Sequence, residues 1–330
     1  MIITRTPFRI SFFGGGTDYP AWYHKQGGAV LSVGINKYCF ITLRYLPPFF
    51  NYHFRIQCYR KEETQTIDEI QHPSVRECLR FTNIKKGVEI VHSADLPSQA
   101  GLGSSSTFTV GLLHALFTLK NKMLTKRELA LNAIHVEQNL IQEHVGSQDQ
   151  TIAAFGGLNK IEFGGPQHIL VRPIAMRQEK LELLQNHLML FFTGFSRNAS
   201  DIASEQIRLT ASKTTELHKM MELTEEAISI LLSEEDRLDD FGLLLHEQWM
   251  IKRGMTHLVS TQQIDDIYAA GLQAGALGGK LLGAGGGGFM LFFVRPEDQP
   301  HMHKTFNHLL HVPIRFDHTG SQVIYYGNHS

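Results

Sequence analysis

The chain has 330 residues, 42% of them hydrophobic and 19% charged, which is enough apolar material for a core of roughly two domains and too much for a disordered chain. Lys and Arg number 31 against 32 Asp and Glu, so the net charge is -1, without the basic excess of a nucleic-acid binder or the polybasic run of a membrane-surface protein. Three cysteines (Cys39, Cys58, Cys78) argue against a disulfide framework. With neither a signal-like apolar region nor an apolar run of about eighteen residues, a soluble cytoplasmic protein is expected.

Residues 1–60 read as strands. Arg9 to Phe13 alternates and stops at Gly14-Gly15-Gly16, and Ala29 to Val33 and Tyr38 to Leu43 are β-branched and aromatic runs. The pattern then predicts a short helix over 73–82 and a strand over 88–91. After a Gly/Ser loop at 97–106 comes a buried helix from Phe108 to Leu119, with Leu112, Leu113, Leu116 and Leu119 at helical spacing. Thr125-x-x-Glu128 is a capping box. It opens a helix with Leu129, Ala133, Val136 and Leu140 on one face, ending near Gly146. Strand character over 158–172, a short helix over 180–185 and a strand over 188–193 follow. Two polar helices, 199–233 and 236–257, precede one with Ile264, Ile267, Tyr268, Gly271 and Leu272 in phase. A glycine cluster at 283–288, a buried strand from Phe289 to Val294, a short helix over 297–310 and a strand from Val323 to Tyr326 close the chain. Few βαβ alternations in this mixture argue for an α+β fold. The boundary falls near 173–187, giving domains 1–178 and 179–330.

Of the 29 glycines, three clusters carry chemical signals. Pro97-Ser98-Gln99-Ala100-Gly101-Leu102-Gly103-Ser104-Ser105-Ser106 stands just before a helix. Such a loop presents unpaired backbone N–H groups and the positive end of the helix dipole, a site that favours phosphate. Taken alone, it reads equally well as a turn with a serine N-cap. Gly283 to Gly288 formally matches G-x-G-x-x-G, but that fingerprint needs a strand before it and a helix after it; here a helix is expected upstream and a strand follows. The cluster reads as a loop that leaves room for a nucleotide or a neighbouring loop, or as a tight packing turn. Gly14-Gly15-Gly16-Thr17-Asp18 follows the first strand, and Asp18 there could accept hydrogen bonds from sugar hydroxyls or simply cap the turn. No H-E-x-x-H, paired C-x-x-C or G-x-S-x-G string suggests a zinc site or a serine hydrolase.

In this order along nearly the whole chain, the three clusters resemble the motifs of the GHMP kinases. Pro97 to Ser106 is similar to that family's phosphate loop, Lys280 to Gly288 to its C-terminal glycine motif, and Thr6-Pro7-Phe8-Arg9 with Gly14 to Tyr19 to its N-terminal motif. His72 to Glu77 and Gly146 to Gln150 resemble the branch that phosphorylates sugars at the anomeric hydroxyl. The resemblance implies a ribosomal-protein-like N-terminal domain, a ferredoxin-like C-terminal domain, and ATP with Mg²⁺ in the cleft between them. It implies ATP contacts from Pro97, Gly101, Leu102, Gly103, Ser104, Ser105, Ser106, Gly285 and Gly286, and metal ligation by Ser105 and Glu137. Asp149 takes the place of the catalytic aspartate, Arg9 that of the basic residue facing it, and Gly16, Thr17 and Asp18 that of the substrate-binding turn. Arg197, in Ser196-Arg197-Asn198, could make a bidentate contact with a phosphate already on the substrate, or be a surface arginine near an N-cap. The expected substrate is a sugar or sugar phosphate, with heptose 7-phosphate foremost. A fucose- or galactose-type kinase and a non-catalytic sugar-binding regulator are the alternatives. Neither a nucleic acid nor a membrane is expected as partner, and a homodimer is compatible with the chain.

The chemistry is coherent on its own terms. Phosphoryl transfer demands alignment and charge neutralisation more than covalent help. A backbone nest and Mg²⁺ handle the triphosphate, a carboxylate activates the acceptor hydroxyl, and a guanidinium meets the developing charge.

Overall fold

The computed structural model describes residues 1–98, 101–164, 169–194, 199–235 and 237–327. In chain order these form β1 (Ile2–Phe13), α1 (Pro20–Gln26), β2 (Gly28–Tyr45), β3 (Phe54–Gln57), β4 (Lys61–Thr64), α2 (Pro73–Phe81), β5 (Val88–Ala94), α3 (Ser104–Leu119), α4 (Lys126–His135), α5 (Gln148–Phe155), β6 (Leu158–Phe163) and β7 (Ile169–Pro173). There follow α6 (Gln178–Asn186), β8 (Leu188–Phe192), α7 (Ala199–Leu209), α8 (Thr214–Leu232), α9 (Leu238–Arg253), α10 (Gln262–Gln273), β9 (Ala276–Leu281), β10 (Phe289–Val294), α11 (Gln299–Thr305), β11 (Leu310–His311), β12 (Phe316–Asp317) and β13 (Gln322–Tyr326). None of the described helices is long and apolar enough to cross a membrane.

Among the described residues the strands make two sheets, of nine and four strands. The first is built around β2, the two sequence-expected strands being one continuous strand. Its length has a cause: β1 pairs along one edge, while β6 and β5 share the other, matching Gly28–Val33 and Cys39–Tyr45 respectively. The apolar helix α3 packs on β1 and β2, with nearly its whole length buried. The second sheet has the order β11-β8-β10-β9, with β10 buried at every residue and α9 and α10 against β9. The final strands return to the first sheet, β12 on β2 and β13 on β1, so a cut at 178/179 divides that sheet from two of its strands.

Three local departures from the sequence pattern shape the site. The expected helix over 199–233 is broken at Thr210–Ser212, where the Thr210, Ser212 and Thr214 hydroxyls donate to backbone carbonyls three or four residues earlier and compete with the helical ladder. The strand β9, rather than a helix, leads directly into the 283–288 loop, so that loop joins two antiparallel strands. The helix begun at the Thr125/Glu128 capping box, which is present, passes after His135 into a π-helical turn over Val136–Ile141. The wider turn changes the phase of the helix: Leu140, expected on the apolar face, is 38% exposed, and Glu137 is fully buried.

Candidate active site

The site begins with a fault in the β1 ladder. The register of β1 against β2 shifts between Pro7 and Arg9, beside a proline that has no N–H to give. Arg9 N–H instead donates to the Leu102 carbonyl of the Gly/Ser loop, at 3.2 Å. The side chain of Arg9, a residue only 4% exposed, then grips Asp149 in the first turn of α5 with two bonds of 2.7 Å, Nε to Oδ1 and Nη2 to Oδ2. Its Nη1 donates to the Gly101 carbonyl at 2.8 Å. Gly103 leaves the space this pair occupies: a Cβ there would sit 3.2 Å from Asp149 Oδ2 and 3.3 Å from Arg9 Cγ.

Gly103 is the N-cap of α3, in the left-handed region (φ 77°), and supplies no side-chain cap. The first-turn N–H groups of a sixteen-residue helix therefore face the loop, as an anion site requires. The two glycine clusters expected to bind ATP meet backbone to backbone. A Cβ on Gly101 would lie 2.5 Å from the Leu282 carbonyl oxygen, and one on Gly283 would lie 2.5 Å from Gly101 Cα.

These elements enclose a cavity of about 300 Å³. Arg9, Gly16, Asp18, Gly101, Gly103, Ser104, Ser105, Ser106 and Asp149 line it, as the sequence motifs imply. Other expected residues do not. The Thr17 hydroxyl is turned into the fold, donating to the Gly14 and Ala29 carbonyls. Leu102 is in the core and Pro97 is exposed outside the cavity. Gly285 and Gly286 are pinned to Val259, whose carbonyl takes the Gly286 N–H at 2.9 Å, so Gly283 and Ala284 form the cavity wall instead. Arg197 lies outside the described residues.

Asp18 is 2% exposed. Its carboxylate accepts the N–H groups of Gly16 at 2.9 Å and Gln148 at 3.3 Å. Burial raises its pKa, and the nearby Asp149 charge adds to the rise. Ser11 Oγ and Gln148 Oε1 also border the cavity, buried and without hydrogen-bond partners, as expected of groups that meet a polar ligand.

Glu137 stands behind the phosphate loop on the π-helical turn, fully buried. It accepts from Ser106 Oγ at 2.8 Å and from Gln150 Nε2, leaving Oε1 without a partner. Burial pushes its pKa up to about 7. Ser105, the expected metal ligand, is exposed on the cavity wall, and it is Ser106 that touches Glu137. Among the described residues no group of three or more His, Cys, Asp or Glu side chains could hold a metal alone. One orphaned carboxylate oxygen on a side chain that also holds the Ser106 hydroxyl fits Mg²⁺, which keeps waters and substrate phosphate oxygens in its shell. Glu137→Gln retains the shape and removes the anionic oxygen; the variant should need several-fold more Mg²⁺ for half-maximal rate. An unchanged Mg²⁺ titration would remove Glu137 from the metal site.

Sequence reasoning missed Lys252 and Lys280, which also line the cavity. Lys252 stands in a helix that reads as polar, and Lys280 precedes a glycine run; neither position signals burial.

Residues 71–157 match the model of the GHMP kinases N terminal domain and residues 220–302 that of the GHMP kinases C terminal. A D-glycero-alpha-D-manno-heptose 7-phosphate kinase from Campylobacter jejuni is 31% identical over 92% of this chain and 92% of its own length. A mevalonate kinase from Thermococcus sibiricus is 30% identical over 65% of this chain and 62% of its own. The crystal structure of a D-glycero-D-manno-heptose 1-phosphate kinase from Bacteriodes thetaiotaomicron superposes with a TM-score of 0.80 at 22% identity, covering 99% of this chain and all of that one. The chain belongs to the GHMP kinase family and has its fold. It is a phosphotransferase with an alcohol group as acceptor.

Proposed function

We propose that the protein is a sugar kinase that transfers the terminal phosphoryl group of ATP to the anomeric hydroxyl of D-glycero-α-D-manno-heptose 7-phosphate, giving the 1,7-bisphosphate. The observation that carries the reading is the Arg9–Asp149 pair, held at the junction of the phosphate loop and the glycine turn that bears Asp18. A carboxylate fixed there by two charge-assisted bonds can receive the proton of an acceptor hydroxyl as it attacks. That pair supports a catalyst over a sugar-binding regulator. The heptose 7-phosphate kinase relative, alike over 92% of both chains, supports this sugar over mevalonate.

In this reading the first-turn N–H groups of α3 bind the triphosphate, and the Asp18 carboxylate accepts hydrogen bonds from sugar hydroxyls. Ser105 and Glu137 would hold Mg²⁺, with Ser106 and Gln150 orienting Glu137. When bound, the ion neutralises triphosphate charge. Asp149 takes the acceptor proton, and Arg9 fixes its orientation.

The 7-phosphate needs its own partner, and Arg197 is proposed for it. Loss of a charge-assisted phosphate contact costs about 1.5–3 kcal/mol, roughly ten- to a hundredfold in KM where KM tracks affinity. Arg197→Ala should therefore raise KM for the phosphorylated sugar by that factor and leave an unphosphorylated sugar almost unchanged. Equal losses for both would assign Arg197 to ATP or to the fold. A wild type that prefers the unphosphorylated sugar would overturn the heptose 7-phosphate reading.

A further inference from the structure

The reaction scheme leaves two cations unused. Lys252 on α9 and Lys280 on β9 line the same cavity, 7% and 2% exposed. Lys280 Nζ donates to the Phe12 carbonyl at 2.7 Å. Lys252 Nζ donates to the Leu281 carbonyl at 3.4 Å and to that of Gly283. Among the described residues neither ammonium forms an ion pair; the acidic groups that act on Lys252, Asp18 and Asp149, do so through space, and Asp149 is already gripped by Arg9. Burying an ammonium against carbonyls alone is unfavourable, and two of them beside a guanidinium more so. Burial, then repulsion from Arg9, brings the Lys252 pKa down to about 8. Burial, then repulsion from Lys252 and Arg9, also lowers that of Lys280 well below the ordinary lysine value.

Such an arrangement persists where a ligand supplies the missing negative charge. Each ammonium has three N–H donors. The carbonyls above engage one on Lys280 and two on Lys252. Arg9 differs from them in that three of its five N–H donors hold Asp149 and Gly101 and its charge is already paired with the Asp149 carboxylate. The loop that Lys252 holds through Gly283 also abuts Gly101 of the phosphate loop, which brings the ammonium to the reacting end of the cavity.

We propose that Lys252 and Lys280 form a buried phosphate-binding pair, donating hydrogen bonds to the oxygens of a phosphoryl group inside the cavity. They bind by charge and hydrogen bonding only; no bond forms to nitrogen and no proton is transferred. Two sources present this chemistry, the phosphoryl group in transfer from ATP and the phosphate already on the sugar. The identity of the sugar phosphate rests on the proposed function; the anion site does not.

The test uses the full chain with Lys252→Met and Lys280→Met, of similar length and uncharged. Removing an unpaired buried charge should leave the ligand-free melting temperature unchanged or higher. Calorimetry with inorganic phosphate, without sugar or turnover, should show binding weakened by about tenfold or more in each variant. A fall in kcat of about 10² with phosphorylated and unphosphorylated sugars alike assigns the pair to the group in transfer. A rise in KM confined to the phosphorylated sugar assigns it to the sugar phosphate. Lys252→Gln, which can still donate to the Gly283 carbonyl, should lose as much as Lys252→Met and replaces it if that variant does not fold. Folded variants with phosphate binding and kinetics within about threefold of wild type would overturn the proposal. So would losses that track a fall in melting temperature. A wild type that phosphorylates no sugar tested would fail the proposed function alone, since calorimetry still reads the lysine pair.

Discussion

Asp149→Asn should lower kcat by about 10²-fold or more while ATP still binds, since a positioned general base contributes roughly 10²–10⁴. Both carboxylate oxygens accept from Arg9 at 2.7 Å, and the phosphate loop is built from other residues. The amide keeps the shape but offers one acceptor where the guanidinium needs two, and it cannot take up a proton. Steady-state kinetics at saturating sugar, with nucleotide binding measured separately, checks both halves. Near-normal kcat in the folded variant would remove Asp149 from the chemistry. Loss of nucleotide binding alongside kcat would mean that the Arg9–Asp149 clamp serves mainly to hold the loop through Gly101 and Leu102.

Gly146→Ala should lower kcat/KM for the sugar by about 10²-fold without any change to a functional side chain. A Cβ at position 146 would lie 1.9 Å from Asp18 Oδ2 and 2.6 Å from its Cγ, so the Asp18 carboxylate has to move. Asp18 has little room, being buried and held by the N–H groups of Gly16 and Gln148. A displacement on the order of 1 Å in a positioning group can cost that factor. ATP affinity should be unchanged, and Asp18→Asn should reproduce the defect in the sugar. A Gly146→Ala variant with wild-type sugar kinetics would contradict the assignment of Asp18 to substrate.

Much of this site was legible because its chemistry is carried by the backbone. Gly101 and Gly103 need positive φ, and a Gly/Ser run ahead of an apolar helix is visible in one sequence. The Thr125/Glu128 capping box and the in-phase α10 are equally local, and both stand as expected. What escaped depends on contacts distant in the chain. The π-helical turn that buries Glu137 leaves no periodic signature, since a single wide turn only breaks a pattern. Ser106 rather than Ser105 meets Glu137 because α3 starts at Ser104 and sets which serine faces inward. Gly285 and Gly286 are held by Val259, more than twenty residues earlier, which nothing in the glycine run announces. Lys252 is the single lysine of a helix that reads as polar, and only packing against the second sheet shows that it is buried.

The central claim concerns which oxygen receives the phosphoryl group, and phosphorus NMR of the product reads that directly. The purified protein is incubated with ATP, Mg²⁺ and D-glycero-α-D-manno-heptose 7-phosphate, and in parallel with mannose, fucose and galactose. The account predicts one new resonance coupled to the anomeric proton, the 7-phosphate resonance retained, and little turnover of the unphosphorylated sugars. Phosphate on any other hydroxyl, or turnover confined to an unphosphorylated sugar, would contradict it.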